Sequence, residues 1–341
     1  MGEFELIRRY FDRPIPAGSR HGVALGIGDD CALIAPGPGM QLAVSSDMLV
    51  SGRHFFADVD PRTLGHKALA VNLSDLAACG ARPLGFTLAL ALPQASPPWL
   101  EGFAQGLFTL ADLHGCALVG GDTTQGPLNI CITVFGEVPP AQALLRSGAQ
   151  VGDDIWVSGS LGDAALALQA LLGHASLSAD LLAQARARLQ CPTPRVALGL
   201  ALRGLASACA DVSDGLLGDL DHILERSQVG ASVQLENAIL SGAVCADYMR
   251  ASGQNDQKIL QLAQHCVLAG GDDYELVFTA APEQHAAVLQ AAQQCAVPVH
   301  RIGRTESTPG LRLVDAQGAP VALQLQSFDH FAGSPAGIIA A

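Results

Sequence analysis

Two apolar stretches, GFTLALAL at residues 85–92 and LNICITVFGEV at residues 128–138, decide how the fold is read. Both have the length and composition of β-strands, and Pro139-Pro140 stops the second. Between them lie a helical pattern at residues 97–114 and a strand-like run at 116–119 that ends in GGDTTQG. Strands placed this way can pair without strict strand–helix–strand order. The expected class is therefore α+β, a mixed α/β arrangement, rather than a purely parallel sheet.

Before these strands, the pattern gives a helix at 3–11 and a strand at 41–44 running into Ser45, Ser46 and Asp47. A long helix at 61–79 has proline near its start and Gly80 after its end. LGIGDDCALI, residues 25–34, reads as strand-like and carries the adjacent pair Asp29 and Asp30. These elements make an N-terminal domain over residues 1–140. After the loop LLRSGAQVGDD, residues 144–154, a second α/β domain is expected over residues 151–331. Its strands are read at 155–158, before DVSDG, at 231–235 and at 299–302, and its helices at 181–189, 195–205, 216–226 and 282–295. The segment 266–280, CVLAGGDDYELVFTA, reads as a turn leading into a strand.

Composition narrows the function classes. The 341 residues, 49% of them hydrophobic and 37 of them glycine, suit two packed domains. The longest apolar run is far short of the roughly 20 residues a membrane helix needs, and MGEFELIRRYF carries charges where a signal peptide is apolar, so a cytoplasmic protein is expected. Nine cysteines without a CxxC pair argue against a disulfide framework or a zinc cluster. A net charge of −13 repels nucleic acid, and repels phosphate-rich ligands unless metal ions intervene.

The aspartates recur in six motifs beside glycine, serine or threonine: GDD at 28–30, SSD at 45–47, NLSD at 72–75, GGDTT at 120–124, DVSDG at 211–215 and GGDDYE at 270–275. Singly, each has an ordinary reading: GDD as an Asx-turn, SSD as a helix cap, Asp75 as a solvated helix residue. Together they form a set of hard oxygen donors without clustered histidine or cysteine, which suits magnesium and, through it, a polyphosphate. Two adjacent carboxylates such as Asp29 and Asp30 are costly to desolvate without compensating cations or donors. GIGDDC lacks a complete GxGxxG and GSLGDAA lacks the GK[ST] of a Walker loop, so neither of those nucleotide sites is supported.

In order and spacing, GIGDDCAL, SSDMLVSGRHF, KALAVNLSDLAACGARP, LVGGDTTQGPL, RSGAQVGD, ADVSDGLLGDL and GGDDYEL closely resemble the thiamine-monophosphate kinase family. That family lies within the superfamily that includes aminoimidazole ribonucleotide synthetase and selenophosphate synthetase. The resemblance runs from Gly2 to SFDHF at residues 327–331, and SSDMLVSGRHF and SFDHF favour the kinase over its relatives.

The resemblance implies a two-domain aminoimidazole ribonucleotide synthetase-like fold and a homodimer in which the first domains pair through their sheets, the second domain completing the active site. It implies ATP-dependent phosphorylation of thiamine monophosphate with several magnesium ions. Asp30, Asp47, Asp75, Asp122, Asp211 and Asp214 match the family's magnesium-binding aspartates, helped by hydroxyl or backbone oxygens at Ser45 and Ser46. Asp30, Asp47, Asp75, Asp122 and Asp214 are the implied catalytic set. Gly121, Asp122, Arg146 and Ser213 match positions that approach ATP. His54, Asp272 and Phe328 match positions near thiamine phosphate, and Asp272 stands where many relatives have glutamate. Two alternatives stay open. One is another ATP-dependent member of the superfamily, although no cysteine precedes Cys31 to favour selenophosphate chemistry; the other is a noncatalytic nucleotide-binding protein.

Overall fold

In the computed structural model, residues 2–15, 22–252 and 256–323 are described. The chain divides into two units, one of residues 2–76 and 81–143, the other of residues 77–80 and 144–323.

The first unit is built on a four-stranded sheet of β3 (Gln41–Val50), β4 (Arg82–Leu92), β5 (Ala117–Gln125) and β6 (Asn129–Val138), with α1 (Glu3–Tyr10) and the short pair β1 (Val23–Leu25) and β2 (Leu33–Ile34) outside it. The strand order is β3-β6-β4-β5. Antiparallel pairing of β4 with β6 and of β3 with β6 matches the α+β expectation, while β4 and β5 run parallel. A parallel pair needs a crossover, which α3 (Pro97–Leu113) supplies. Alternation then sorts the side chains. Phe86, Leu88 and Leu90 of β4 and Ile130, Ile132 and Val134 of β6 are buried, as are Leu69 and Leu73 of α2 (Pro61–Ala78) and Phe103 and Leu107 of α3. The two helices approach closely at Gly106, where a Cβ would stand 1.8 Å from the Arg62 carbonyl oxygen. The opposite edge of the alternation on β3 leaves Leu42, Val44 and Met48 about half exposed, at 47%, 56% and 53%.

The second unit holds a six-stranded sheet in the order β12-β9-β11-β7-β10-β8. Its strands are β7 (Asp154–Ser158), β8 (Ala206–Val212), β9 (Gly230–Gln234), β10 (Glu275–Ala280), β11 (Val299–Glu306) and β12 (Gly310–Val314). Every neighbouring pair is antiparallel except β12 on β9. The helices are α4 (Asp163–Leu171), α5 (Ala179–Gln190), α6 (Val196–Ala201), α7 (Leu216–Ser227), α8 (Leu235–Leu240), α9 (Ala243–Ser252), α10 (Gln257–Ala269) and α11 (His285–Gln294). Leu166, Leu216, Leu220, Ile223, Val267 and Val277 are among the fully buried residues of its core.

Three expectations change. The strand read at 41–44 continues to Val50, and the strand read at 116–119 continues to Gln125, so both acidic motifs lie inside strands. Residues 266–269, read as a turn, are the last turn of α10, whose N-cap Asp256 accepts the Lys258 and Ile259 amides. Backbone pairing across the sheet and packing of α10 outweigh the local glycine and aspartate signals. Among the described residues no helix is long and apolar enough to cross a membrane, and all nine cysteines are free thiols.

Candidate functional site

Between β1 and β2 the chain turns through GIGDDC, and Asp29 and Asp30 are exposed there. This corrects the reading of a strand that desolvates two carboxylates. The flanking strands are only three and two residues long, and the turn leaves both charges in water, where their desolvation cost does not arise.

On β3 the SSD motif alternates across the sheet, so its reading as a helix cap does not hold. Ser45 turns its hydroxyl to Asp75 of α2, donating to Oδ2 at 2.5 Å. The Asp47 backbone N–H donates to Asn72 Oδ1 at 3.1 Å, and the Asn72 amide donates in turn to the Ala68 carbonyl at 3.0 Å. Asn72 and Asp75 are three apart, on one face of α2, which is why both reach the same part of β3. Ser46 points the other way: its hydroxyl lies 3.0 Å from Thr133 Oγ1 and donates to the Ile132 carbonyl at 3.2 Å. The side chains of Ser45 and Ser46 therefore cannot serve one ion together. Just past β3, His54 accepts the Val50 N–H at Nδ1, 3.0 Å, which assigns the proton of the neutral ring to Nε2.

Asp122 occupies the edge strand β5, exposed, opposite Ala89. A register shift between the Phe86 and Thr87 pairs precedes it, and Gly121 adopts φ +146° with its Cβ position 1.9 Å from the Leu88 carbonyl oxygen, so only glycine fits. The Ala89 row continues through Cys131 to Met48, next to Asp47. Three strand spacings put the Asp122 backbone about 14 Å from Met48, beyond what two aspartates reach to a shared ion. Among the described residues no group of three His, Cys, Asp or Glu side chains is placed to hold a metal. The donors are oxygens, the chemistry magnesium takes, and magnesium retains water and phosphate ligands that would complete its shell here.

In the second unit the candidate residues gather at the end of β8. Asp211 is buried opposite Leu276 of β10, and Ser213 and Asp214 follow in a loop that leads into α7. Asp219, in the first turns of α7, accepts the backbone N–H groups of Ser213, Asp214 and Gly215 on one oxygen at 3.0, 3.1 and 3.1 Å. Burial, then the charge of Asp214, push Asp219 up to about 7 against the pull of those amides. The GGDDYE segment is laced to the same loop: Asp272 donates its N–H to the Ser213 carbonyl and Tyr274 to that of Val212, both at 2.9 Å. Asp272 and Tyr274 have φ of +68° and +52°, a left-handed backbone uncommon outside glycine, and the Tyr274 hydroxyl donates to Asp272 Oδ1 at 3.0 Å. Behind them the fully buried Glu275 is paired with Arg188 and Arg195 at 2.6 and 2.5 Å and receives the Ser158 hydroxyl at 2.6 Å. Burial raises the carboxyls of Asp163 and Asp273, whose oxygens cap the amides of Val244 and Gly162.

Arg146 lies beside the free edge of β8, where the Cys209 N–H donates to the Leu145 carbonyl at 2.9 Å, two residues before Asp211. Its side chain is exposed. Phe328 falls outside the described residues. Asn72, Asp219, Tyr274 and Ser227 were not singled out from sequence. The i, i+3 spacing of Asn72 and Asp75 was a usable signal for the first; nothing local marks Ser227, whose partners are about eighty positions away.

Residues 28–138 match the model of AIR synthase related protein, N-terminal domain, and residues 150–316 that of the corresponding C-terminal domain. The thiamine-monophosphate kinase of Salmonella typhimurium is 45% identical over 336 residues, covering 97% of this chain and 98% of that protein. A crystal structure of thiamine-monophosphate kinase from Stenotrophomonas maltophilia K279a superposes with a TM-score of 0.78 at 44% identity, over 93% of this chain and 96% of that one. A structure of AaThiL complexed with AMPPCP and TMP superposes with a TM-score of 0.73 at 26% identity, over 96% of both chains.

Proposed function

The chain belongs to the thiamine-monophosphate kinase family of AIR synthase related proteins, and from that premise we propose that it transfers the γ-phosphoryl group of ATP to the phosphate of thiamine monophosphate, giving thiamine diphosphate and ADP. The observation that carries this reading is the near full-length identity to thiamine-monophosphate kinases. It is supported by the relative that was solved with AMPPCP and TMP.

The acceptor is a phosphate whose second pKa is about 6, so it is largely ionised near neutral pH and needs no general base. Catalysis then rests on positioning and on charge. We assign magnesium to Asp30, Ser45, Ser46, Asp47, Asp75, Asp122, Asp211 and Asp214. When bound, it would neutralise phosphate oxygens and help align donor and acceptor. Within the chain, the Ser45 hydroxyl fixes one oxygen of Asp75, and Asn72 fixes the backbone of Asp47, so these carboxylates need little reorganisation. Gly121, Asp122, Ser213 and Arg146 are assigned to ATP, Arg146 as the cationic contact. His54, Asp272 and Phe328 are assigned to thiamine monophosphate, His54 being held in place by the Val50 N–H on its Nδ1.

Free thiols throughout fit a reducing compartment, and we place the protein in the cytoplasm. We also propose a homodimer formed through the first unit's sheet, supported by the exposed apolar stripe of Leu42, Val44 and Met48 on β3.

The test is a chromatographic assay of purified protein with ATP, magnesium and thiamine monophosphate, with an EDTA control. Equal yields of thiamine diphosphate and ADP that vanish with EDTA are expected. ADP without thiamine diphosphate would move the search to another acceptor, and no turnover would favour a nucleotide-binding protein. Asp75→Asn and Asp122→Asn should each cost roughly 100-fold or more in kcat with circular dichroism unchanged, as loss of a charge-stabilising ligand implies; wild-type rates in both would remove the carboxylates from the mechanism.

A further inference from the structure

Helix α7 begins at one loop assigned to the nucleotide and ends at the other. It is 12 residues long, about 18 Å at the usual rise, and Leu216, Leu220, Ile223 and Leu224 anchor it in the core. At its start Asp219 gathers the amides of Ser213, Asp214 and Gly215. At its end Ser227 donates its hydroxyl to the Arg146 carbonyl at 3.1 Å and accepts the N–H groups of Gly148 and Ala149, each at 3.1 Å.

A serine in the last turn of a helix ordinarily bonds the carbonyl one turn back on its own helix. Here one hydroxyl makes three bonds to a loop 78 to 81 positions earlier in the chain. Those bonds clamp the backbone on both sides of Ser147, the segment from which the exposed Arg146 side chain leaves the loop. An exposed arginine on an unclamped loop would lose more side-chain and backbone entropy on binding a polyphosphate.

We propose that Ser227 is a positioning residue of the nucleotide site: through its three hydrogen bonds it holds the 145–149 loop so that Arg146 is preset to meet the phosphates of ATP. The proposal rests on the kinase reading and on the assignment of Arg146 to ATP.

Steady-state kinetics and AMPPCP calorimetry on the full chain, with wild type, Ser227→Ala, Ser227→Thr, Arg146→Ala and the double variant, test it. Ser227→Ala should raise the KM for ATP and the Kd for AMPPCP about 5- to 10-fold, the size expected when a hydrogen-bonded anchor of a charged contact is lost. The KM for thiamine monophosphate should stay within about twofold, and Ser227→Thr, which keeps the hydroxyl, should restore most of the nucleotide affinity. In the Arg146→Ala background, Ser227→Ala should add little, because the residue it positions is gone. An unchanged KM for ATP, an equal rise in both KM values, or an undiminished effect in the Arg146→Ala background would overturn the proposal. If Ser227→Ala does not fold, Ser227→Cys carries the same comparison. A wild-type chain that makes no thiamine diphosphate would instead count against the kinase reading, and the AMPPCP affinities of the same variants would still decide the role of Ser227.

Discussion

Single side chains set the backbone on which the proposed chemistry depends. Asn72 holds Asp47, and Asp219 holds the Ser213–Gly215 amides, each without a formal positive charge. In both cases the side chain accepts and the donors are neutral backbone amides. His114 shows the same scale at work on stability. It caps α3, its buried Nε2 has no hydrogen-bond partner among the described residues, and burial together with His66 lowers its pKa. The folded state therefore binds fewer protons than the unfolded state below the unfolded value of about 6.5, and the stability present above that value is lost as pH falls through the lower folded one. His114→Gln lacks this term, so in urea unfolding at pH 7.5 and 5.5 the stability gap between the variant and wild type should shift in the variant's favour at the lower pH; a gap independent of pH would mean His114 titrates alike in both states. The acidic motifs were legible because glycine, serine and aspartate cluster in them. Asp219 and Ser227 were not, because what they hold is backbone, and a backbone partner leaves no residue type to read.

Elements were legible where periodicity ran uninterrupted and misjudged where a motif suggested a loop. The β4 and β6 strands behind the α+β expectation pair as antiparallel neighbours. By contrast, SSD reads as a helix cap and GGDTT as a turn after a strand, but both are carried within β3 and β5, whose ladder bonds to β6 and β4 outweigh local preference. The close crossing of α2 and α3 was also hidden, since glycine in a helix pattern reads as a weakness before its neighbour is known. Gly106→Ala should cost about 3 kcal/mol or more in chemical denaturation, because the new methyl meets backbone at Arg62, which cannot swing aside. An alanine variant as stable as wild type would show that the two helices can part without penalty.

For the whole molecule, a charge of −13 and a half-exposed apolar stripe on β3 make opposite demands. Like charge favours separated chains, and exposed Leu42, Val44 and Met48 favour burial. The proposed homodimer predicts that Val44→Asp, which adds charge to the stripe, converts a sedimenting dimer to monomer at micromolar concentration. A wild-type monomer under the same conditions would remove the dimer. The two-unit division and the oxygen-rich character of the proposed site were within reach of sequence, whereas the spacing of Asp122 from Asp47 depends on the strand order β3-β6-β4-β5, which no local pattern states. The 145–149 loop also lies against a sheet edge. β8 is the outermost strand of the second unit's sheet, and part of its unpaired side is covered by this loop through the Cys209–Leu145 bond. A bare strand edge is a template for another chain. A change that unfastens the segment proposed to meet ATP would therefore bare a stretch of strand edge as well.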